Sequence, residues 1–340
     1  MKKLEVFQWG TKHGHSKGWL ELLTDSKKIN FNGLFEPDLK RKKLLLDSKD
    51  KIWNNITWID KIEGVLKNKN IDIVFIEESN EKSLEALEIC IDNNKHVMLD
   101  KPAGNNYKKF ESIVKKAKQK KLIIELGYMF RQHDGFKKIS QLSKSGILGE
   151  IFMIRAHMST NIPEKNAQNE NISRTGLSKF KGGIFYDLAG HMIDQICWIQ
   201  GRPKKIKSFF KNSATKNIEF SDNTISVFEY DKSMAIIDIS ALEISPLARR
   251  FEIYGTQGSV IMEPFEPAQT IRAIIPNEKP NEFYISISDY TESFGANDTA
   301  RYIEGFDRFV DIINGKLKPD RTLDHELLVQ ETLLRSVGLL

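Results

Sequence analysis

Asp187, His191 and Asp194 recur at helical spacing within Gly182-Gly183-Ile184-Phe185-Tyr186-Asp187-Leu188-Ala189-Gly190-His191-Met192-Ile193-Asp194. At about 3.6 residues per turn their side chains share one narrow stripe. Leu188, Ile193, Ile196 and Ile199 fall on the opposite side and are expected to form the buried face. A solvent stripe in a chain this rich in Lys and Glu would carry Lys and Glu. A carboxylate one turn from an imidazole is instead the pairing used for proton transfer. An Asp-His-Asp stripe could also ligate a divalent metal, but no further His or Cys cluster supplies ligands, and no metal is expected there.

A second reactive group is an amine. Asp100-Lys101-Pro102 follows the apolar run His96 to Leu99, which reads as a strand. Ligands of parallel sheets bind beyond the carboxyl ends of their strands. A lysine held there by a following proline can direct its ammonium into a cleft. A third motif is the turn Gly10-Thr11-Lys12-His13-Gly14-His15 after the strand Leu4 to Trp9. A dinucleotide fingerprint has G-x-G-x-x-G at such a turn. Gly10 fits the first glycine, Lys12 stands at the second and His15 at the third. Gly14 restores some backbone freedom, and Lys12 or His13 could meet phosphate charge. Glu36 ends the second strand, where an acid bonds a ribose 2′-hydroxyl and repels a 2′-phosphate. Lys40 and Arg41 nearby keep NADP open beside NAD.

The elements that must position these groups come in two kinds. In the first part, strands at Leu4–Trp9, Phe31–Phe35, Asp72–Ile76, His96–Leu99 and Leu122–Leu126 alternate with helices at Lys17–Leu23, Lys82–Asn93 and Tyr107–Lys120. This is the βαβ pattern of a doubly wound parallel sheet. After a helix near Phe136 to Ser145, eight strand patterns dominate, from Glu150–Met158 to Phe283–Ile287, and alternation such as Thr224-Ile225-Ser226-Val227-Phe228 suits an antiparallel sheet with one covered face. Two helices, Ala300–Ile313 and His325–Leu339, close the chain. The expected fold is α/β: a Rossmann-type domain over residues 1–123 and an α+β domain with a large, mostly antiparallel open sheet over 124–340. Asn161 to Arg174 reads as a loop.

Composition narrows the classes. The 340 residues carry 29% charged and 40% hydrophobic side chains and a net charge of +5, which suits a globular protein. Lys40-Arg41-Lys42-Lys43 and Lys115-Lys116 are short and sit on solvent-facing helix surfaces, so nucleic acid is not an expected partner. The two cysteines, Cys90 and Cys197, lie in apolar helical patterns and read as buried thiols. No apolar run reaches the ~18 residues of a membrane span, and Glu5 and Gln8 interrupt the segment after the first lysines. A cytoplasmic protein with no membrane partner is expected.

Asp-Lys-Pro after a strand and a distant Gly-Gly-x-x-x-Asp-x-x-x-His-x-x-Asp together resemble the glucose-fructose oxidoreductase, inositol dehydrogenase and rhizopine-catabolism (Gfo/Idh/MocA) family. The segments Gly127–Arg131 through Gly146–Glu150, Phe251–Ser259 and Tyr302–Phe306 agree with it, and the resemblance covers nearly the whole chain. Asp100 replaces the family's Glu in Glu-Lys-Pro, and the first turn is poorer in glycine. The resemblance implies an NAD(P)-dependent dehydrogenase or reductase acting on a secondary hydroxyl or ketone of a sugar, cyclitol or related polyol bound between the domains. It makes Lys101, Asp187 and His191 catalytic. His191 would exchange the hydroxyl proton, Lys101 would stabilise the alkoxide, and Asp187 would orient the imidazole or hold a neighbouring hydroxyl. Gly10, Lys12, His13, Gly14, His15, Glu36, Asn80 and Lys101 would line the cofactor. Tyr128, Arg131, His157 and Arg174 would join Lys101, Asp187 and His191 around substrate, with a structural role at the hinge equally open to Tyr128 and Arg131. A homodimer or homotetramer through the second sheet is expected. Two other readings remain: a non-catalytic sensor with a degenerate glycine turn, and a member that uses retained NAD to cleave glycosides.

Overall fold

The computed structural model describes residues 3–162, 179–214, 219–266, 268–275, 284–290 and 302–340. It divides into two compact units: Met1–Gly127 with Tyr302–Leu327, and Tyr128–Arg301 with Leu328–Leu340.

The first unit holds β1 (Leu4–Trp9), α1 (Ser16–Asp25), β2 (Ile29–Phe35), α2 (Leu39–Leu46), α3 (Lys51–Asn54), β3 (Trp58–Ile59), α4 (Ile62–Lys67), β4 (Ile71–Ile76), α5 (Ser83–Asp92), β5 (His96–Leu99), α6 (Tyr107–Lys120) and β6 (Ile124–Leu126). The strands pair in the order β3-β2-β1-β4-β5-β6, and all pairs are parallel. This is the Rossmann order, with the chain reversing direction across the sheet beside β1. Val6, Phe7, Ile73, Val74, Phe75, Val97 and Leu99 are buried, as strands covered on both faces require. α6 turns Phe110, Ile113, Val114 and Ala117 inward, at the i, i+3, i+4, i+7 spacing of one helix face. Asn106 caps it, accepting the Lys109 N–H, and Asp38 caps α2 in the same manner.

The second unit holds α7 (Asp134–Lys144), β7 (Ile151–His157), α8 (Ile184–Gln200), β8 (Lys205–Lys211), β9 (Asn223–Glu229), β10 (Met234–Ser240), β11 (Arg250–Gly255), β12 (Ser259–Met262), β13 (Ala268–Ile274) and β14 (Tyr284–Tyr290). All eight expected strands are present, in the order β14-β13-β12-β11-β7-β10-β9-β8. Only β7 and β10 run parallel. α8 packs on β9 and β10 on one side and on α7 and the turn 129–132 on the other. Every residue from Ile184 to Cys197 is therefore buried. The stripe carrying Asp187, His191 and Asp194 is an interior face, where the sequence pattern suggests a surface one.

The elements within 39–67 carry no clear signature in the sequence, apart from the helical surface at Lys40–Lys43. α2 buries none of its residues and β3 is two residues long, so neither leaves a readable hydrophobic period. The division of the chain also departs from 1–123 and 124–340. α9 (Ile303–Ile313) and the start of α10 (Leu323–Ser336) belong with the first unit. Phe306 and Phe309 pack on Phe75, and Tyr302 lies 4.5 Å from the Trp19 ring. Both cysteines are free and buried, and burial pushes both thiols up, Cys197 to about 12.

Arg321 fastens the C-terminal segment of the first unit. Its buried guanidinium donates to Glu125 Oε2 at 3.1 Å and to the Leu126 carbonyl at 2.8 Å, and its Nε lies 3.2 Å from Glu326 Oε1. Burial holds the Glu125 carboxyl above its ordinary range despite Arg321. Arg321→Met leaves two buried carboxylates without their cation and should cost about 3–5 kcal/mol. Denaturant unfolding followed by tryptophan emission reads this, since four of the five tryptophans lie in the first unit. A loss under ~1 kcal/mol would show that the pair does not hold this segment.

Candidate active site

In the first unit the turn after β1 is held tightly. Gly10 has φ +87°, and a Cβ there would lie 3.0 Å from the backbone of Glu77 and Glu78. Only glycine accepts both constraints. The Gly10 N–H bonds the Phe35 carbonyl, and the His13 N–H bonds the Glu77 carbonyl. Gly14 differs: its φ is not left-handed and a Cβ there would meet nothing within 4 Å, so it leaves open space over the turn. Lys12 pairs with Asp38 at 3.0 Å. Burial opposes the charge on Lys12, but Asp38 outweighs it and its pKa is raised.

His13 and His15 turn into the protein. His13 Nε2 lies 3.1 Å from the Lys101 carbonyl, and its Nδ1 lies 3.1 Å from Asp100 Oδ2. His15 Nδ1 is 2.9 Å from the same carboxylate oxygen. His13 does not reach outward to meet phosphate charge, as the sequence suggests: its ring lies between the Lys101 carbonyl and the Asp100 carboxylate. Burial raises the Asp100 carboxyl, but the two imidazoles outweigh it and leave it well below its usual range. Lys101 follows directly, buried, its N–H bonded to Asp100 Oδ1 at 2.8 Å. Glu36 accepts Thr11 Oγ1 at 2.6 Å and the Asp38 N–H at 2.9 Å. Arg41 closes over the same threonine, its Nε 2.7 Å from Thr11 Oγ1. Asn80 is buried, and its amide nitrogen has no hydrogen-bond partner among the described residues.

In the second unit the start of α8 is fixed by Gly182 (φ +92°) and Gly183 (φ +50°). A Cβ on Gly182 would come within 2.4 Å of Val337, and one on Gly183 within 2.5 Å of the Ser221 carbonyl. The first turn of α8 then presents Asp187, 8% exposed, and the second His191, 2% exposed. Phe130 lies edge-on to the His191 ring at 4.9 Å and Tyr128 at 6.1 Å. Gly190 keeps that approach open: a Cβ there would be 3.1 Å from the Tyr128 ring. Tyr186 stacks on Phe180 at 4.5 Å, and burial pushes its hydroxyl pKa up.

Asp194 leaves this set. It takes the buried Arg131 guanidinium in a two-pronged pair, with Nε to Oδ2 at 3.0 Å and Nη2 to Oδ1. Arg131 also lies 4.1 Å from the Trp198 ring centroid. This structural use of Arg131 tells against a substrate contact. His157 is likewise engaged by carboxylates. It bonds Asp238 at 2.5 Å and Glu243 at 2.8 Å, on the sheet face opposite the Ala235, Ile237 and Ile239 side that meets α8. Strand alternation dictates this, since Ile154 and Ala156 point to the helix side. Arg174 lies outside the described residues.

Residues 10–128 match a family model described as "Oxidoreductase family, NAD-binding Rossmann fold", and residues 136–261 match the GFO/IDH/MocA C-terminal domain. The chain belongs to the Gfo/Idh/MocA family. It is 21% identical over 217 residues to the uncharacterized oxidoreductase YdgJ of Escherichia coli, covering 64% of this chain and 61% of that one. The chain thus spans about three-fifths of the length of that curated relative. It is 20% identical over 261 residues to the myo-inositol 2-dehydrogenase of Thermotoga maritima, covering 75% of each. An oxidoreductase from Agrobacterium radiobacter, solved with NAD+, L-tartaric acid and magnesium, shares the fold. Its TM-score is 0.81 at 14% identity, covering 99% of this chain and 97% of that one.

The first unit is accordingly the NAD-binding Rossmann fold of the Gfo/Idh/MocA family, and its residues fit a dinucleotide. Gly10 lets the backbone turn, the space at Gly14 admits a close neighbour, and the buried Asn80 amide nitrogen is left for an acceptor. Glu36 stands at the end of β2, where a ribose hydroxyl would be held.

His157 gives a pH test of its assignment. Asp238, and then Glu243, hold its pKa up at about 9 against burial. A raised pKa contributes stability below its unfolded value near ~6.5 and loses it as pH climbs through ~9. Melting temperature should fall between about pH 7 and pH 10, and His157→Gln should remove that part of the fall. Turnover on any substrate should keep its KM in the variant, and a raised KM would return His157 to the substrate site.

Proposed function

We propose that this chain transfers hydride between a nicotinamide cofactor and a secondary hydroxyl or ketone of a sugar, cyclitol or related polyol. The observation that carries the reading is the buried Asp187–His191 pair that the glycine turn fixes at the start of α8. The Asp-Lys-Pro lysine at the end of β5 and the inositol dehydrogenase relative add support.

The bound nicotinamide supplies the hydride acceptor or donor. His191 takes the hydroxyl proton in oxidation and returns it in reduction. Its ring is held between Phe130 and Tyr128, which shield it from water. Asp187, one turn earlier, orients the imidazole or receives a neighbouring hydroxyl. The Lys101 ammonium stabilises the alkoxide as the proton leaves. Asn80, Gly10 and Glu36 hold the dinucleotide, and Glu36 favours the unphosphorylated ribose of NAD. Arg41, bound to Thr11 beside Glu36, is the group that would accommodate NADP. Tyr128 contacts substrate beside His191.

The face of the second sheet away from α8 is where we place subunit pairing, as a homodimer or homotetramer. It mixes Phe209, Ile225 and Met234, each more than a third exposed, with Arg155, Asp238 and Glu252. The alternative of a sensor that has lost catalysis draws on His15 standing at the third glycine of the turn.

NADH titrated into the protein should change the emission of Trp9, which adjoins the turn, with saturation below millimolar cofactor. A panel of sugars and cyclitols with NAD should then yield one that reduces it. His191→Ala should lower kcat about 10²–10⁴-fold on that substrate while leaving the NADH titration unchanged. Cofactor binding without turnover on any polyol would favour the sensor. Near-native turnover by His191→Ala would remove the imidazole from the mechanism.

Phe209→Lys with Ile225→Lys should shift the mass measured by light scattering to that of a single 39.1 kDa chain. An unchanged mass would place the interface elsewhere.

A further inference from the structure

We propose that His13, His15, Asp100 and Glu77 form a site for one divalent transition-metal ion, with Zn2+ the best fit, beneath the first turn of the Rossmann unit. Nothing in the oxidoreductase reading requires such an ion, so the two stand or fall separately.

The proposal starts from hydrogen-bond accounting. The carbonyl of Lys101 can only accept, so the His13 nitrogen that faces it, Nε2, carries the ring proton. The backbone N–H of His15 reaches Nδ1 at 3.3 Å, which agrees: Nδ1 is the bare nitrogen. That lone pair faces Asp100 Oδ2 at 3.1 Å and Glu77 Oε2 at 3.6 Å. Glu77 is 0% exposed, and neither of its carboxylate oxygens has a hydrogen-bond partner among the described residues. Two buried carboxylate oxygens with no donor are costly. A cation shared with His13, His15 and Asp100 relieves them.

The spacing suits a metal. Donor atoms of His13, His15 and Asp100 lie within 4.8 Å of one another, and His15 Nδ1 is 2.9 Å from Asp100 Oδ2. A tetrahedral ion with bonds of about 2.0–2.2 Å separates its ligands by about 3.3–3.5 Å. The observed separations of 2.9, 3.1 and 3.6 Å bracket that value. Two imidazoles and two carboxylates form the borderline donor set that Zn2+ takes, and the two carboxylates neutralise its charge. An outer layer is present as well. Trp19 Nε1 lies 3.3 Å from Asp100 Oδ2, and the Lys101 N–H fixes Oδ1. The ion would bind the turn after β1 to the ends of β4 and β5, and so set the backbone of Lys101.

The test uses the full chain, stripped with chelator and titrated with Co2+. One equivalent should bind, giving the intense visible bands of a tetrahedral ion and changing Trp19 emission. Zn2+ should displace it, and elemental analysis of the Zn2+-loaded protein should find about one ion per chain. His13→Gln with His15→Gln should abolish the bands, and Glu77→Gln should weaken binding at least tenfold. If circular dichroism shows the double variant poorly folded, His15→Gln replaces it, because its ring is the least buried of the set; a tenfold loss is again expected. Binding of less than a tenth of an equivalent, or full binding by a folded His15→Gln variant, would overturn the site.

Discussion

The carboxylate of Asp100 is where three segments of the first unit meet. It is buried, yet it takes the N–H of Lys101, the indole of Trp19 and close approaches from His13 and His15. Desolvating one carboxylate is expensive unless donors or cations surround it. The cluster therefore constrains the turn after β1, the first helix and the end of β5 at once. Lys101 inherits its position from that constraint. Its carbonyl is held by His13 and its N–H by Asp100, so the backbone from which the ammonium projects is bonded on both sides.

A second constraint acts in the other unit by a different route. Here the backbone fixes the chemistry. Gly182 and Gly183 enter α8 in conformations and spaces that no side chain tolerates. The helix then runs through the interior, so Asp187 and His191 are both buried, and the His191 ring lies beside Phe130 and Tyr128. Further along the helix Asp194 pairs with Arg131, whose guanidinium also lies over the Trp198 ring. The polar stripe of α8 thus divides: Asp187 and His191 lie at its start, and Asp194, one turn on, is taken up by Arg131.

Much of this is legible because strands and helices leave periods in sequence. Alternation places all eight strands of the second sheet, and the βαβ rhythm gives the parallel one. Stretches without a period are lost, such as α2 and β3. Pairings between distant residues are also lost. Arg131 and Asp194 are 63 positions apart, and only coordinates show that one spends its charge on the other. Helical spacing groups Asp194 with His191 but cannot say which neighbour each finds. His157 is recoverable: the apolar parity of Ile154 and Ala156 already sends it to the opposite face. Tyr302 and Phe306 join the first unit by aromatic packing that no local pattern announces.

The glycine-poor turn is the departure that these contacts make intelligible. A third glycine in the usual fingerprint lets helix and strand pack closely. Here His15 occupies that position, and its ring goes to the Asp100 carboxylate, an interaction glycine cannot make. A larger side chain at the start of α1 is accommodated because it replaces close packing with a polar contact to the neighbouring strand end. Asp100 reaches both imidazoles with one oxygen. His13, His15 and Asp100 thus form one polar cluster, and a Cβ at Gly14 would still meet nothing within 4 Å.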